Sequence, residues 1–501
     1  MKKLNFIKTA ILTLSFFVIS ACDDYLDVNE SPNNLPTAAV QSLLPGAEIG
    51  TGFLVGNTAQ IVSSLWMQQM AGTGTQTDPY DRYNVSPGDF NNEWNALYAT
   101  LLDDLQQIKV QGREEGNFHH AGMAQILQVY VWALTTDIWG DVPFSQGLNF
   151  DEFDKPAYDS QEEIYTRLIT LLDEGLADLD NTTVIAASQG DQIYQGNLDN
   201  WRRAANSIKL KLYLQSRLKN PASAEGINQL ISDNNLISAN GQNFNINFFS
   251  SPGSFNPIYQ YNHLTRANDM ILSQRFYDSL SVLNDPRLPV FFTTTGGNFV
   301  TYDNGVHTAT NFTSPNRSRW GVYVVGNGNQ NADGTISNGG GAPIRLITTS
   351  MVNFWLAEAA LTLGTTGDAE TYFRQALEAQ FSDITSFVSG ASLPANFATN
   401  ATAYIDRRVA AFNAASSQQA KLNILIRDKW ASSVGNAYEA YNDFRRTGFP
   451  NLQIAQNAQA GVTRIPVRWP YAQSEIQSNA ANVPLQDYPS GLLVPVWWMP
   501  E

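Results

Sequence analysis

The segment 354–379, FWLAEAALTLGTTGDAETYFRQALEA, restricts the possible folds of this chain more than any other segment. Gly364 can end one helix and Asp368 can cap the next, because glycine tolerates a left-handed backbone and aspartate accepts hydrogen bonds from a helix start. Small and large residues then follow at spacings of four and three: Ala369, Phe373 and Ala376. This pattern predicts two tightly packed antiparallel helices, as in a tetratricopeptide unit.

Two other segments carry the apolar stripe of an amphipathic helix. In 160–179, leucine and isoleucine recur every three or four residues, and Ser160 with Glu163 forms a capping box that marks a helix start. In 421–444, aliphatic and aromatic residues recur at the same spacing, which predicts one continuous helix. Long polar segments separate the helices. We therefore expect a predominantly α-helical fold, with tetratricopeptide-like helical hairpins as a scaffold and long loops on the ligand face.

The first residues resemble a lipoprotein signal sequence. Three lysines and an apolar run of about ten residues precede Cys22, the only cysteine of the chain. This run is shorter than the roughly 20 residues that span a membrane, and Ile19-Ser20-Ala21-Cys22 has the form of a lipobox. We expect removal of residues 1–21, acylation of Cys22, a polar tether at 22–37 and one helical body at 38–501. An ordinary signal peptide with an incidental cysteine is the alternative.

Charge and residue types disfavour several classes of function. The formal net charge of −16 disfavours nucleic acid as a partner, because nucleic acid requires a basic surface. The four histidines lack metal-ligand spacing, and no glycine-rich loop ends in Lys-Ser or Lys-Thr, so we expect no metal and no cofactor. Neighbouring carboxylates keep a glycoside hydrolase open as an alternative: Asp78 with Asp81, Asp137 with Asp141, and Asp151 with Asp154.

Aromatic residues lie within polar stretches of two long loops, 71–92 and 291–345. One group is Tyr80, Asp81, Arg82 and Tyr83, and the other is Asn316, Arg317, Trp320 and Tyr323. Sugar rings have apolar C–H faces edged by hydroxyl groups, so aromatic rings beside Asp, Asn and Arg side chains match both properties. These are the predicted ligand-binding residues. The alternative is that the rings fix their loops to the helical body.

Several motifs occur in a fixed order along almost the whole chain. They are the lipobox with CDDYLDVNESPNNLPT, then TTDIWGDVPFSQ (135–146), KLKLYLQSRLKN (209–220), LNDPRLPVFF (283–292), WLAEAAL (355–361), and EAYNDFRRTGFPNL (439–452) followed by IPVRWPY (465–471). Together they resemble the SusD/RagB-like nutrient-binding outer-membrane lipoproteins, and in particular their second, SusD-like branch.

This resemblance implies a binding protein and not an enzyme. Family members bind oligosaccharides, polysaccharides or other nutrients and pass them to a SusC-like TonB-dependent transporter. The resemblance also implies an outer-membrane protein that faces the cell exterior and is held by acyl chains at Cys22. It gives scaffold roles to Asp137, Asp141, Arg445 and Arg446 and transfers no ligand residues. A helical surface glycoside hydrolase, or capture of peptides or another nutrient, remains the alternative.

Overall fold

The computed structural model describes residues 38–74, 76–307 and 314–500. The predicted signal segment 1–21 and the predicted tether 22–37, with its Cys22, lie outside these ranges. Helices dominate the described residues, as the periodicity predicts, and the strands are short. No helix in these ranges is long and apolar enough to cross a membrane.

The α-helices, numbered in chain order, are α1 (Val40–Leu54), α2 (Gln60–Trp66), α3 (Thr77–Asp81), α4 (Asn91–Ala96), α5 (Leu102–Glu114), α6 (Phe118–Trp139), α7 (Gln161–Leu179), α8 (Leu198–Gln215), α9 (Ser223–Asp233), α10 (Pro257–Tyr259), α11 (Gln274–Ser281), α12 (Leu288–Phe291), α13 (Val322–Val325), α14 (Thr349–Leu363), α15 (Ala369–Phe387), α16 (Phe397–Ala414), α17 (Gln418–Ser432), α18 (Ala437–Thr447) and α19 (Gln473–Ser478). The strands are β1 (Met70–Gly72), β2 (Phe244–Ile246), β3 (Met270–Ser273), β4 (Thr301–Tyr302), β5 (Asn329–Gln330), β6 (Ile336–Ser337) and β7 (Ile344–Ile347).

Helices α14 and α15 form the predicted hairpin. Helix α14 ends at Gly364, which has a left-handed backbone with φ of 67°. The Asp368 carboxylate accepts the N–H of Thr371 at 2.7 Å and so caps the start of α15. Phe354 and Phe373 then meet between the two helices with ring centroids 6.1 Å apart. The turn chemistry and the aromatic spacing of the sequence therefore predict this hairpin correctly.

The predicted helix at 421–444 is two helices in the structure, α17 and α18. The break lies at Gly435, whose φ of 81° is left-handed and cannot continue a right-handed helix. The apolar stripe is preserved across the break because Trp430 and Tyr438, one on each helix, are both buried. The prediction of one continuous helix is therefore wrong, although its inward-facing residues are correct.

Helix α6 lies at the centre of the helical body. Every residue from His120 to Trp139 is buried, which is the pattern of a helix surrounded by protein on all sides. It crosses α7 at a point where Gly122 of α6 meets Gly175 of α7. A Cβ atom on Gly122 would lie 2.7 Å from the carbonyl oxygen of Gly175, closer than side chains approach. The two glycines therefore set how closely this pair of helices packs.

A network of buried charges connects helices that are distant in sequence. Arg446 on α18 pairs with Glu358 on α14 at 2.7 Å and with Asp443 at 2.6 Å. Lys429 on α17 pairs with the same Asp443 at 2.7 Å, and Arg217, just after α8, pairs with Glu358 at 3.1 Å. All five side chains are almost completely buried, so their charges must be compensated inside the protein.

Short strands hold the loop face together. Strand β1 pairs antiparallel with β3, and β3 pairs parallel with β4. Hydrogen bonds to Asp81 from Asn304 and Gly305, which follow β4, then bring together the two long loops 71–92 and 291–345. Strand β2 pairs with β7, and β5 with β6. Strands β1, β3 and β4 form a three-stranded sheet, and this sheet positions the polar residues of the adjoining loops.

Candidate functional site

The first group of predicted binding residues lies on α3 and the turn after it. The rings of Tyr80 and Tyr83 are 3% and 1% exposed. Tyr83 meets Trp66 edge to face at 6.4 Å, and its hydroxyl oxygen accepts the N–H of Ala455 at 3.0 Å. The N–H of the Trp66 indole is donated to the carbonyl oxygen of Tyr80 at 3.1 Å. These rings therefore fix α3 to the helical body.

The second group also contains buried rings. Trp320 is fully buried and stacks on Phe292 with centroids 5.0 Å apart. Tyr323 is 1% exposed, donates its hydroxyl hydrogen to Asp383 at 2.6 Å, and lies 3.8 Å beneath the guanidinium of Arg345. Burying a large aromatic ring is more favourable than leaving it exposed to water. These buried rings therefore hold their loops against the helical body. The prediction of aromatic platforms at Tyr80, Tyr83, Trp320 and Tyr323 is corrected accordingly.

The polar members of the two groups divide between interior and surface. Asp81 is buried and accepts hydrogen bonds from the Asn304 amide at 2.6 Å and the N–H of Gly305 at 2.7 Å. Arg317 is buried and donates to the hydroxyl of Thr73. Arg82 is half-buried and pairs with Asp78 at 2.7 Å, whereas Asn316 is exposed. Of the eight predicted residues, Arg82 and Asn316 stay a prediction as ligand contacts.

Three carboxylate pairs were candidates for the catalytic pair of a glycoside hydrolase, and two of these pairs contain a buried aspartate. Asp137 is fully buried and accepts hydrogen bonds from Asn442 at 2.8 Å and from the Trp498 indole at 3.0 Å, as well as from two tyrosine hydroxyls. Asp81 is buried as described above. A carboxylate enclosed by donors in this way holds helices together and does not meet a substrate. Asp151 and Asp154 lie exposed in the loop between α6 and α7.

A different polar cluster lies around the segment 261–269, which leads into β3, and takes one residue from each of the two long loops. We call Gln76, Tyr261, Arg266, Asn268, Asp269 and Tyr302 the loop-face cluster. Asp269 directly precedes β3, and its carbonyl oxygen accepts the N–H groups of Thr73 and Gly74 at 2.7 and 3.0 Å. A Cβ atom on Gly74 would lie 2.3 Å from the Asp269 carboxylate, so glycine is required for this close approach. The strand pairing therefore places a carboxylate at the centre of the loop face.

The electrostatics of this cluster suit a ligand rich in hydroxyl groups. Burial raises the pKa of Asp269, while Arg266, the Tyr261 hydroxyl and Arg317 act in the opposite direction. The Tyr261 hydroxyl donates to the carboxylate at 3.3 Å. Gln76, Arg266 and Asn268 are exposed, and the rings of Tyr261 and Tyr302 are half-buried. Donors, an acceptor and partly open rings therefore lie within one surface region.

The sequence contained a signal for part of this cluster. Tyr302 stands beside Asp303 and Asn304, so it has the feature that indicated Tyr80 and Trp320, an aromatic ring next to hydrogen-bonding side chains. Asp269 carried no such signal, because its position depends on the pairing of β1 with β3. Within the described ranges, no group of His, Cys, Asp and Glu side chains could hold a metal ion.

His263 holds the loop around Trp320 in a way that depends on pH. Its Nδ1 accepts the N–H of Ile336 at 2.9 Å, so its Nε2 carries the hydrogen and donates to the carbonyl oxygen of Trp320 at 2.8 Å. Burial lowers the pKa of His263 to about 3, the Trp320 carbonyl opposes this, Arg319 lowers it further and Asp333 raises it. The neutral ring is therefore the form that fits the folded protein.

We expect the free energy of unfolding to decrease as the pH falls from about 6.5 towards the folded-state value, because the unfolded chain takes up a proton there and the folded one does not. One such proton changes the free energy of unfolding by at most about 1.4 kcal/mol per pH unit. Denaturant unfolding of the wild type and of His263→Gln between neutral and acid pH measures this slope. The variant should show a smaller slope, and equal slopes would contradict the assignment.

A groove lies beside the hairpin formed by α14 and α15. It has a volume of about 670 Å³ between α9, α14 and α15. Its floor is apolar, with Leu236 and Val352, and its edges carry amide groups and Glu378. Among its described lining residues, none belongs to the loop-face cluster and only Glu378 is charged. It is therefore a feature of the scaffold and not the candidate site.

The hairpins and the polar loop face together define a helical scaffold protein with a candidate ligand site. Residues 32–472 match the SusD-like family, which is described as starch-binding and associating with the outer membrane. Because this match spans most of the chain, the protein belongs to the SusD-like family. The resemblance that the sequence motifs indicated is confirmed.

Solved structures share this fold. A SusD/RagB family protein from Bacteroides thetaiotaomicron is 25% identical with a TM-score of 0.75, over 92% of this chain and 99% of that one. A SusD homologue from Bacteroides fragilis is 19% identical with a TM-score of 0.76 over the same shares. A chitin-binding SusD homologue from Flavobacterium johnsoniae is 21% identical with a TM-score of 0.72, over 91% and 98%. No match was found among the curated proteins.

Proposed function

We propose that this protein is a lipid-anchored outer-membrane protein that binds an oligosaccharide or polysaccharide on its loop face. It then delivers the ligand to a SusC-like TonB-dependent transporter. The observation that carries the binding proposal is Asp269, which is 9% exposed and has exposed donors and partly open tyrosine rings beside it. The family description as starch-binding and the chitin-binding relative support a glycan as the ligand class.

The chemistry of the loop-face cluster matches that of a sugar. Sugar hydroxyl groups donate to the Asp269 carboxylate and accept from Arg266, Asn268 and Gln76, while C–H faces rest against the open edges of Tyr261 and Tyr302. If two or three such contacts each contribute about 1–2 kcal/mol, the dissociation constant falls between millimolar and tens of micromolar. Binding of this strength permits capture followed by release to a transporter.

Replacing Asp269 by asparagine should weaken glycan binding about tenfold or more, because a hydrogen bond to a charged acceptor contributes about 1.5–3 kcal/mol. Calorimetric titration of unlipidated protein with starch- and chitin-derived oligosaccharides measures the change. Asp151→Asn, which alters an exposed carboxylate between α6 and α7, is the matched control and should bind like the wild type. Equal affinities of both variants, or no binding to any glycan, would contradict the proposal.

The anchor and the transporter are tested in cells. Cys22→Ser should abolish incorporation of radiolabelled palmitate and release the protein from the membrane fraction, since acyl chains supply the membrane affinity. Full-length protein purified from outer membranes should carry a TonB-dependent transporter with it. Palmitate labelling of the Cys22→Ser variant, or purification without a transporter, would count against this part of the proposal.

A further inference from the structure

A second groove is lined in part by the last residues of the described chain and shares no lining residue with the loop-face cluster. It has a volume of about 440 Å³, within the roughly 300–1,000 Å³ of ligand pockets. Its walls come from the residues just after α6, from the start of α7 and from the segment 484–497. We call it the C-terminal groove.

One wall of the C-terminal groove holds a buried arginine with no acid partner. Arg468 is 7% exposed, and its Nη2 donates to the carbonyl oxygen of Trp139 and, at 2.9 Å, to the hydroxyl of Tyr471. Among the described residues, its Nε is enclosed without a hydrogen-bond partner, and neither a hydrogen bond nor an ion pair involves its Nη1. Among the other buried arginines, Arg287 and Arg446 pair with carboxylates, whereas Arg319 and Arg445 donate mainly to backbone carbonyl groups. Arg468 therefore has donor capacity that the protein leaves unused.

Gly140 keeps this guanidinium accessible. It follows α6 with a left-handed φ of 83° and lines the groove. A Cβ atom at this position would lie 3.2 Å from Nη2 and 3.5 Å from Nη1 of Arg468. Any side chain here would cover the charged group. The glycine therefore leaves the groove open at the arginine.

An acceptor lines the same groove. Asp141 is half-buried, and its Oδ1 accepts the N–H of Gln161 at 2.8 Å. The Tyr471 hydroxyl connects the two charged residues, because it accepts from Arg468 and donates to the carbonyl oxygen of Asp141 at 2.6 Å. A donor-only group and an acceptor-only group thus both line the groove. A ligand with adjacent hydroxyl groups satisfies both, since each hydroxyl can donate and accept.

The groove also offers an apolar surface for a ring. Trp497 is half-buried and is supported from behind by Tyr165, at a centroid distance of 5.8 Å. Leu485 and Val494 extend the apolar lining. The neighbouring Trp498 is fully buried and donates to Asp137 at 3.0 Å, which holds this segment rigidly against α6. A preformed tryptophan surface beside a donor and an acceptor suits a pyranose ring.

We propose that the C-terminal groove is a second binding site for a short neutral saccharide. The sugar ring lies against Trp497, one hydroxyl accepts from Arg468, and a neighbouring hydroxyl donates to Asp141. Asp141 and Glu162 both line the groove, so an anionic ligand would meet two carboxylates against one guanidinium. The ligand class rests on the proposed function, but the site is separate from the loop-face cluster and can be tested separately.

The test measures saccharide binding through the fluorine NMR signal of Trp497. Full-length protein labelled with 5-fluorotryptophan is titrated with maltotriose and with triacetylchitotriose, and the Trp497 resonance is assigned by Trp497→Phe. We expect this resonance to shift in the wild type and equally in Asp269→Asn. Val494→Arg places a long cation across the groove beside Asp141 and should weaken this response about tenfold or more. Val184→Arg, at a side chain 77% exposed on the α7–α8 loop, is the matched control and should leave it unchanged.

Three results decide the matter. A Trp497 shift that survives Asp269→Asn and is lost in Val494→Arg supports a second site. Calorimetric binding of either saccharide without a Trp497 shift overturns the C-terminal groove and leaves the proposed function intact. No binding and no shift with either saccharide overturns the groove and counts against the proposed function as well. Because Val494 is already 41% exposed, its replacement removes little packing, and thermal unfolding checks that the variant is folded.

Discussion

Replacing Arg446 by alanine is expected to lower the free energy of unfolding by about 3–5 kcal/mol, because the change leaves buried carboxylates without their cation. Arg446 pairs with both Glu358 and Asp443 and thereby connects α14 to α18. Denaturant unfolding followed by circular dichroism measures the change. Arg374→Ala is the control, since Arg374 pairs with Asp406 at the surface, where such pairs contribute about 0–1 kcal/mol.

The same buried network predicts that the free energy of unfolding decreases at acid pH. Burial raises the pKa of Glu358, but Arg446 and Arg217 outweigh this effect and lower it to about 2. The stabilisation from this carboxylate is therefore complete above the unfolded-state pKa of about 4.3 and is lost as the pH falls towards the folded-state value. If Arg446→Ala and Arg374→Ala unfold at the same denaturant concentration, the network does not stabilise the helical body as described.

Replacing Trp320 by alanine should lower the free energy of unfolding by about 3–5 kcal/mol, the usual result of emptying a large buried site. The ring is fully buried against Phe292, and its backbone carbonyl accepts from His263. Calorimetric unfolding measures the loss. Phe249→Ala is the matched control, because this ring is 62% exposed and its removal should change stability by no more than about 0.5 kcal/mol.

This prediction also decides between the two interpretations of Trp320 that its sequence allowed. A variant with lowered stability and unchanged glycan affinity agrees with a ring that fixes its loop. A variant with wild-type stability and lost affinity would show instead that Trp320 contacts the ligand in another conformation of the loop. Both quantities are measured on the same purified protein, so neither result is ambiguous.

The helical scaffold could be predicted from sequence because its signals are local. The cap at Asp368, the turn at Gly364 and the stripe of α7 each depend on residues within a few positions of one another. The break at Gly435 is also local, but a glycine within a periodic segment is tolerated in many helices. The sequence alone does not show that Gly435 adopts a left-handed backbone, and this conformation is what separates α17 from α18 in the folded protein.

The binding surface could be predicted only in part, because burial of loop residues depends on contacts distant in sequence. Tyr83 is covered by Trp66 and by the segment around Ala455, more than 300 residues away in the chain. Asp269 reaches the loop face through strand pairing with residues 70–72. Composition identified polar loops that contain aromatic residues. It could not determine which of their rings face water.

The burial of α6 on every side has a consequence for how such proteins acquire new ligands. A helix with no free face transmits any change in its side chains to all of its neighbours, so substitutions there alter stability before they alter recognition. The loops bear no such constraint, since they are fixed to the body at a few aromatic and glycine positions. Specificity can therefore diversify at the periphery while the interior stays fixed, and grafting loops between relatives becomes a practical route to altered glycan preference.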